Sequence, residues 1–239
     1  MEQERYQRHE GLYGWDAGVQ ERLRESTVLI AGLGGLGGTV ALYLAAAGVG
    51  HLKICDNDTV QWSNLNRQIL YTEQDIGKPK VSQAAERLLL LNHNIVIETL
   101  SETIKESSIS SFANQADLII DCLDNFEGRM VLNSYAVRKP MPLIHAGVSG
   151  FNGQITSIIP PKTPCLECIY DAGPREEAPP ILGTTAGILG TMQAMEAIKH
   201  LAGAGELLTN KLMIMDGESM SFYETRIEKN PECKVCGTY

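Results

Sequence analysis

Short apolar runs alternate, through the first half of the chain, with helical stretches, and over 80–91 the apolar positions recur at helical spacing. Val28-Leu29-Ile30-Ala31, Leu52-Lys53-Ile54-Cys55, Ile95-Val96-Ile97, Asp117-Leu118-Ile119-Ile120-Asp121 and residues 142–146 read as strands. Helices are expected over about 36–47, 80–91 (with Pro79 marking the start) and 126–137. Apolar strands alternating with helices predict a mainly parallel, Rossmann-like α/β sheet with helices on both faces.

The second half changes character. Gly153-Gln154-Ile155-Thr156-Ser157-Ile158-Ile159 alternates as a half-buried strand, read as antiparallel. A Pro-rich loop over 160–180 carries two cysteines. A long helix is expected over about 185–201, with Met192 and Met195 on its apolar stripe. Two further strands, 211–215 and 221–227, are expected to form a terminal hairpin. No repeat and no linker interrupts the chain. It therefore reads as one domain over 1–239, with a nucleotide-binding half at about 1–150 and an antiparallel, cysteine-bearing half at about 151–239.

Composition narrows the function classes. The 239 residues are 44% hydrophobic and 21% charged, ordinary for a folded globular chain. A formal net charge of −9 lacks the basic face that nucleic acid or an anionic membrane requires. No apolar run approaches the roughly 20 residues that span a bilayer. The first residues are polar and do not read as a signal peptide, so a cytoplasmic location is expected.

Gly32-Leu33-Gly34-Gly35-Leu36-Gly37 follows a strand and opens a helix, the context in which G-x-G-x-x-G binds a nucleotide. The glycines allow a tight turn and close approach to phosphate at a helix N-terminus. Asp56 ends the next strand 19 residues after Gly37, where an acid that holds ribose belongs. The turn alone does not separate ATP from NAD, and glycines kept only for a tight turn are the plain alternative. Ser63-Asn64-Leu65-Asn66-Arg67-Gln68 and Lys80 favour a triphosphate, because Arg makes bidentate contacts with phosphate oxygens. A cation at a helix start opposes the helix dipole, which makes sense beside an anion. A solvated Lys80 is equally compatible with spacing. Asp124, in Asp121-Cys122-Leu123-Asp124-Asn125, lies at the ligand-binding edge of the fourth strand. It reads either as a magnesium ligand or as an N-cap.

Cys165-Leu166-Glu167-Cys168 and Cys233-Lys234-Val235-Cys236 form two C-x-x-C pairs about 65 residues apart. In a reducing compartment this pattern reads as a closed, structural zinc site with four cysteine ligands. A redox pair is the alternative, but neither pair opens a helix that would lower a thiol pKa. Cys55 and Cys122 lie in apolar strands and are expected to be buried and inert. His145 ends a strand near the ligand edge and reads as a satisfied buried histidine rather than a catalyst. Trp62 precedes the Ser63 segment and is a candidate to flank the nucleotide.

Taken together, these motifs resemble the MoeB/ThiF/HesA family, bacterial relatives of ubiquitin-activating enzymes. The resemblance runs from Arg5-Tyr6-Gln7-Arg8-His9 to Cys233-Lys234-Val235-Cys236-Gly237, and includes Gly153-Gln154-Ile155-Thr156 and Gln193-Ala194-Met195-Glu196-Ala197-Ile198-Lys199. It implies an ATP-dependent adenylyltransferase that activates the C-terminal carboxylate of a small ubiquitin-like sulfur carrier ending in Gly-Gly. By matched motif, Gly34 and Gly35 would line the phosphates and Asp56 would hold the ribose. Asn64, Arg67 and Lys80 would contact the triphosphate, and Asp124 would hold magnesium. Arg8 would reach across a homodimer into the partner's site, although His9 stands where the family usually has Gln. Some relatives carry a cysteine in the loop after the first C-x-x-C; Glu176 falls roughly there, in a shorter loop. This chain is thus expected to stop at the adenylate, with sulfur supplied by another donor. A small-molecule carboxylate is the nearest alternative substrate. An NAD-dependent oxidoreductase and a zinc-stabilised scaffold without turnover are readings of other classes, disfavoured by the set Asp56, Arg67, Lys80 and Asp124.

Overall fold

Alternation along the first strand sets the architecture. In the computed structural model, which describes residues 2–9, 11–12, 14–170 and 180–237, β1 (Thr27–Ala31) sends Val28 and Ile30 to one core and Leu29 and Ala31 to the other. Both faces of the strand are therefore buried, as the continuous apolar run predicts.

Eight strands form one sheet in the order β3-β2-β1-β4-β5-β6-β7-β8. β2 (His51–Cys55), β3 (Val96–Leu100), β4 (Leu118–Asp121) and β5 (Leu143–Ser149) join β1 in parallel. β6 (Asn152–Ile158), β7 (Lys211–Asp216) and β8 (Ser221–Arg226) continue the sheet antiparallel. Helices α2 (Val19–Glu25), α3 (Gly35–Ala47), α4 (Lys80–Leu91) and α8 (Gly183–Ala202) cover the face of the larger core. The short α5 (Ile109–Phe112) and α7 (Leu166–Ile169), with α6 (Phe126–Arg138), cover the other. A short α1 (Glu2–Arg5) precedes them all.

The expected α/β fold, with its antiparallel C-terminal strands, is what the structure has. Differences lie at the edges. β5 runs to Ser149, and a two-residue turn at Gly150 and Phe151 joins it to β6, so the hairpin begins closer to its tip than the apolar pattern indicated. α8 starts at Gly183 rather than near 185. The brief helices α2, α5 and α7 carry too few turns to leave a periodic signature. The loop containing Glu176 lies outside the described residues. Among the described residues, no helix is long and apolar enough to cross a membrane.

Two glycines make the strand-turn-helix junction possible. Gly32 has φ +92°, and a Cβ there would lie 2.6 Å from the Cys122 carbonyl oxygen. A Cβ on Gly37 would lie 1.8 Å from the Gly32 carbonyl oxygen. Gly37→Ala should therefore cost about 3 kcal/mol by overpacking and lower the melting midpoint by roughly 6–12 °C. Gly187→Ala, on α8 with nothing within 4 Å, should be neutral or stabilising by up to about 1 kcal/mol. Equal thermal shifts for the two variants would contradict this account of the junction.

Candidate active site

The C-terminal ends of β1, β2 and β4 open into a cleft of about 220 Å³. Its floor is the Gly-rich turn. Gly32 N–H donates to the Cys55 carbonyl at 2.8 Å, and Leu33 N–H donates to Asp56 Oδ2 at 2.8 Å. Asp56 Oδ1 accepts from Asp58 N–H at 2.9 Å. The acid after β2 thus braces the turn and its own loop while lining the cleft. Gly34 and Gly35 line the cleft beside it.

Lys80 opens α4 and is 3% exposed. Its Nζ lies 2.9 Å from Asp58 Oδ2 and 4.0 Å from Asp56 Oδ2. This placement rules out a solvated surface lysine. A buried ammonium must be paired, and here its pairing holds it at the rim of the Gly-rich turn. Arg67 lines the same wall, with its guanidinium on the Ser63 carbonyl at 2.8 Å and on Asn66 Oδ1 at 3.0 Å. Asn64 is differently placed. Its Oδ1 accepts from Gln61 N–H at 3.0 Å and closes the 3₁₀ turn Trp62–Asn64, and it does not line the cleft. Trp62 is 66% exposed and is likewise not in the lining.

Asp124 lines the opposite wall and is exposed. The capping duty that would explain it otherwise falls to Asn125, whose Oδ1 accepts from Gly128 N–H at 2.8 Å at the start of α6. Asp121 does not reach the cleft surface. It is fully buried with His145, whose Nδ1 lies 2.6 Å from Asp121 Oδ2. Burial opposes the charge on Asp121, but the Arg129 guanidinium and the His145 hydrogen bond hold its carboxyl below the usual range. Burial likewise lowers His145, which is a neutral, satisfied imidazole. Burial pushes the Cys55 thiol to about 12 and raises Cys122 as well, so both are inert at neutral pH.

Several lining residues escaped the sequence reading, Arg129 and Gln68 among them. Arg129 projects from α6, donates to the Leu123 carbonyl and stands 3.8 Å from Asp121 Oδ2. Gln68 is buried beside the turn, with its Oε1 unpartnered. Arg129 sits inside a helical stretch that reads as packing. Gln68 stood in a quoted motif, but nothing in its spacing marked its burial.

Arg8 lies elsewhere. It is exposed on the 3₁₀ turn Gln7–His9. The neighbouring Tyr6 hydroxyl accepts from Asn92 Nδ2 at 2.9 Å, and Arg5 donates to the Leu91 carbonyl at 2.9 Å. These contacts fix the segment at the C-terminal ends of α3 and α4. α3 has 13 residues, so this end lies about 20 Å from the cleft where the helix starts.

The four paired cysteines converge. Their sulfurs all lie within 4.8 Å of one another, with Cys165 to Cys233 at 3.7 Å and Cys168 to Cys236 at 3.4 Å. A tetrahedral ion with bonds of about 2.3 Å puts its sulfurs about 3.8 Å apart, so Cys165, Cys168, Cys233 and Cys236 could hold a metal ion. The surroundings fit thiolates. Asn133, fully buried on α6, holds its Nδ2 beside Cys165, where a thiolate would accept its hydrogen bond. Backbone N–H groups of Asn230 and Cys236 point at Cys168 and Cys233, both at 3.5 Å.

Residues 6–235 match the ThiF family. The chain belongs to the ThiF family. The heterocyst HesA protein of Trichormus variabilis is 39% identical over 99% of this chain and 89% of its own length. The molybdopterin-synthase adenylyltransferase of Escherichia coli is 38% identical, covering 98% of this chain and 96% of its own. Among solved structures, E. coli MccB with AMPCPP and MccA superposes with a TM-score of 0.89 at 27% identity, over 99% of this chain and 75% of that one. The ThiF match spans the Gly-rich turn, both cleft walls and three of the four paired cysteines, with Cys236 one residue beyond its end.

The buried pair makes a pH prediction. The unfolded chain takes up a proton near the ordinary histidine value of 6.5, which folded His145 refuses. Stability is therefore full above that pH and falls as pH drops below it. His200 is also lowered by burial and contributes in the same sense. Asp121 adds a later loss on acidification below its ordinary 3.8. Unfolding free energy measured against pH should decline below pH 6.5, and His145→Gln should flatten part of that decline. An unchanged slope would place the proton uptake on other groups.

Proposed function

We propose that the protein catalyses ATP-dependent adenylylation of the C-terminal carboxylate of a small ubiquitin-like sulfur carrier ending in Gly-Gly. The observation that carries this is the buried Lys80 ammonium, held at the rim of the Gly-rich turn in a ThiF-family chain. A carboxylate oxygen of the carrier bonds to the α-phosphorus of ATP. The bond from that phosphorus to the bridging oxygen breaks, and pyrophosphate leaves. No protein nucleophile is needed. The site holds two anions together and offsets the charge that builds on the phosphates.

In this reading the backbone of Gly34 and Gly35 receives the phosphates, and Asp56 takes the ribose hydroxyls. Lys80 and Arg67 face the triphosphate, with Asn64 shaping their segment through its turn. Magnesium at Asp124, when bound, neutralises phosphate charge. Arg8 acts in the partner's cleft of a homodimer, because its own segment is fixed at the far end of α3. The chain works as one adenylyltransferase unit, with a nucleotide-binding half and a half tied together by zinc at Cys165, Cys168, Cys233 and Cys236. With Glu176 in the loop rather than a cysteine, the product is the free acyl-adenylate, and a separate donor supplies sulfur. The work belongs in the cytoplasm, where thiols stay reduced.

Exchange of labelled pyrophosphate into ATP should depend on magnesium and on one Gly-Gly carrier. Lys80→Ala and Arg67→Ala should each slow it about a hundredfold, or ~3 kcal/mol, by analogy with removal of an oxyanion-hole donor. ATP binding with no exchange for any carrier would contradict the carrier and point to a small carboxylate. The purified protein should also carry one zinc per chain, lost together with thermal stability in Cys233→Ser. A metal-free protein of full stability would remove the structural-zinc reading.

A further inference from the structure

A chain of hydrogen bonds runs beneath the cleft and reaches Tyr170, two residues after Cys168. The Arg129 guanidinium keeps the buried Asp121 carboxyl low and burial lowers His145, so the imidazole gives its Nδ1–H to the carboxylate. His145 Nδ1–H donates to Asp121 Oδ2 at 2.6 Å. His145 Nε2 must then accept, and the Tyr170 hydroxyl donates to it at 2.7 Å. The same hydroxyl accepts from Gln154 Nε2 at 2.5 Å. At the other end, Asp121 Oδ1 accepts from Leu123 N–H at 3.1 Å, and the Leu123 carbonyl accepts from Arg129. Asp124 is the next residue. The proposed reaction uses none of Gln154, Tyr170, His145 and Asp121 directly.

Tyr170 is well placed to connect these parts. It caps α7, its N–H donating to the Leu166 carbonyl at 2.9 Å, two residues after Cys168. Its ring meets Phe126, the first residue of α6, edge-on at 6.2 Å, and His145 at 5.5 Å. α7 is tied to α6 a second time through Leu166 N–H and Asn133 Oδ1 at 2.8 Å. The first cysteine pair opens a helix after all, with Cys165 capping α7 and Cys168 within it, and this helix grips α6 at two points and the loop before α6 through the relay.

We propose that Tyr170 is a positioning residue: the relay Gln154–Tyr170–His145–Asp121 carries the fixed position of the cysteine-bearing helix to loop 121–125 and so sets Asp124 for the cation on the nucleotide. This rests on the ATP and magnesium reading of the cleft. An outlying hydrogen-bond partner of this kind typically changes metal affinity without itself touching the ion.

Tyr170→Phe keeps the ring and removes only the hydroxyl. Hydrogen exchange on the nucleotide-free variant should show faster exchange at the Leu123 amide, with β1 and β2 unchanged. Mn²⁺ titration of the ATP-bound variant, followed by the resonance of free Mn²⁺, should show affinity weakened about tenfold, with metal-free ATP affinity unchanged. Unaltered exchange at Leu123 overturns the relay whatever the cleft binds. Faster exchange throughout the sheet, with ATP affinity falling alongside that for Mn²⁺, overturns it in favour of general loosening. If the wild-type protein itself fails to take up Mn²⁺ with ATP, the cleft reading falls, and exchange at Leu123 still decides whether Tyr170 holds the loop.

Discussion

Backbone meets backbone where the Gly-rich turn lies against the end of β4, and the site depends on that contact. Gly32 and Gly37 bring the turn within a distance of Cys122 and of itself that no side chain permits. β1, the start of α3 and the segment after β4 are therefore locked in one arrangement. The helix N-terminus faces the cleft, Asp56 reaches the Leu33 amide, and the loop carrying Asp124 starts from a fixed point. Gln193, buried on α8, adds to this by donating to the Asp121 carbonyl at 2.8 Å. The two walls of the cleft are thus braced from the same core.

Electrostatics then follow from burial. Lys80 is out of water and needs anions, and Asp56 and Asp58 supply them. Asp121 is deeper still, and its charge is matched by Arg129 and a neutral His145. The first group sits at the rim, where its partners can be shared with phosphate. The second is sealed beneath, where it serves geometry. Removing one partner of such a buried set costs more than the net contribution of the pair, because a charge is left unpaired.

Much of this was legible in the sequence. The parallel strands announced themselves as short continuous apolar runs, α4 through apolar positions at helical spacing, and α3 and α6 through their place between strands, while Pro79 marked a helix start to the residue. The turn, Asp56, Arg67 and Lys80 came from motif spacing, and the structure gathers them around one cleft. The four paired cysteines likewise converge. What was not legible depends on tertiary contact. That Lys80 is buried, that Asn125 rather than Asp124 caps α6, and that Asn64 closes a turn are facts of packing between segments. Arg129 and Tyr170 carry no motif, and their placement shows only once α6, β5 and α7 are assembled.

The central claim is that this cleft transfers the adenylyl part of ATP to a carboxylate. Its most direct test follows label from α-labelled and γ-labelled ATP in parallel reactions with a Gly-Gly carrier and magnesium. The account predicts that α-label moves onto the carrier while γ-label leaves in pyrophosphate. Gamma-label appearing on the carrier, or as inorganic phosphate with no α-label transferred, would contradict it.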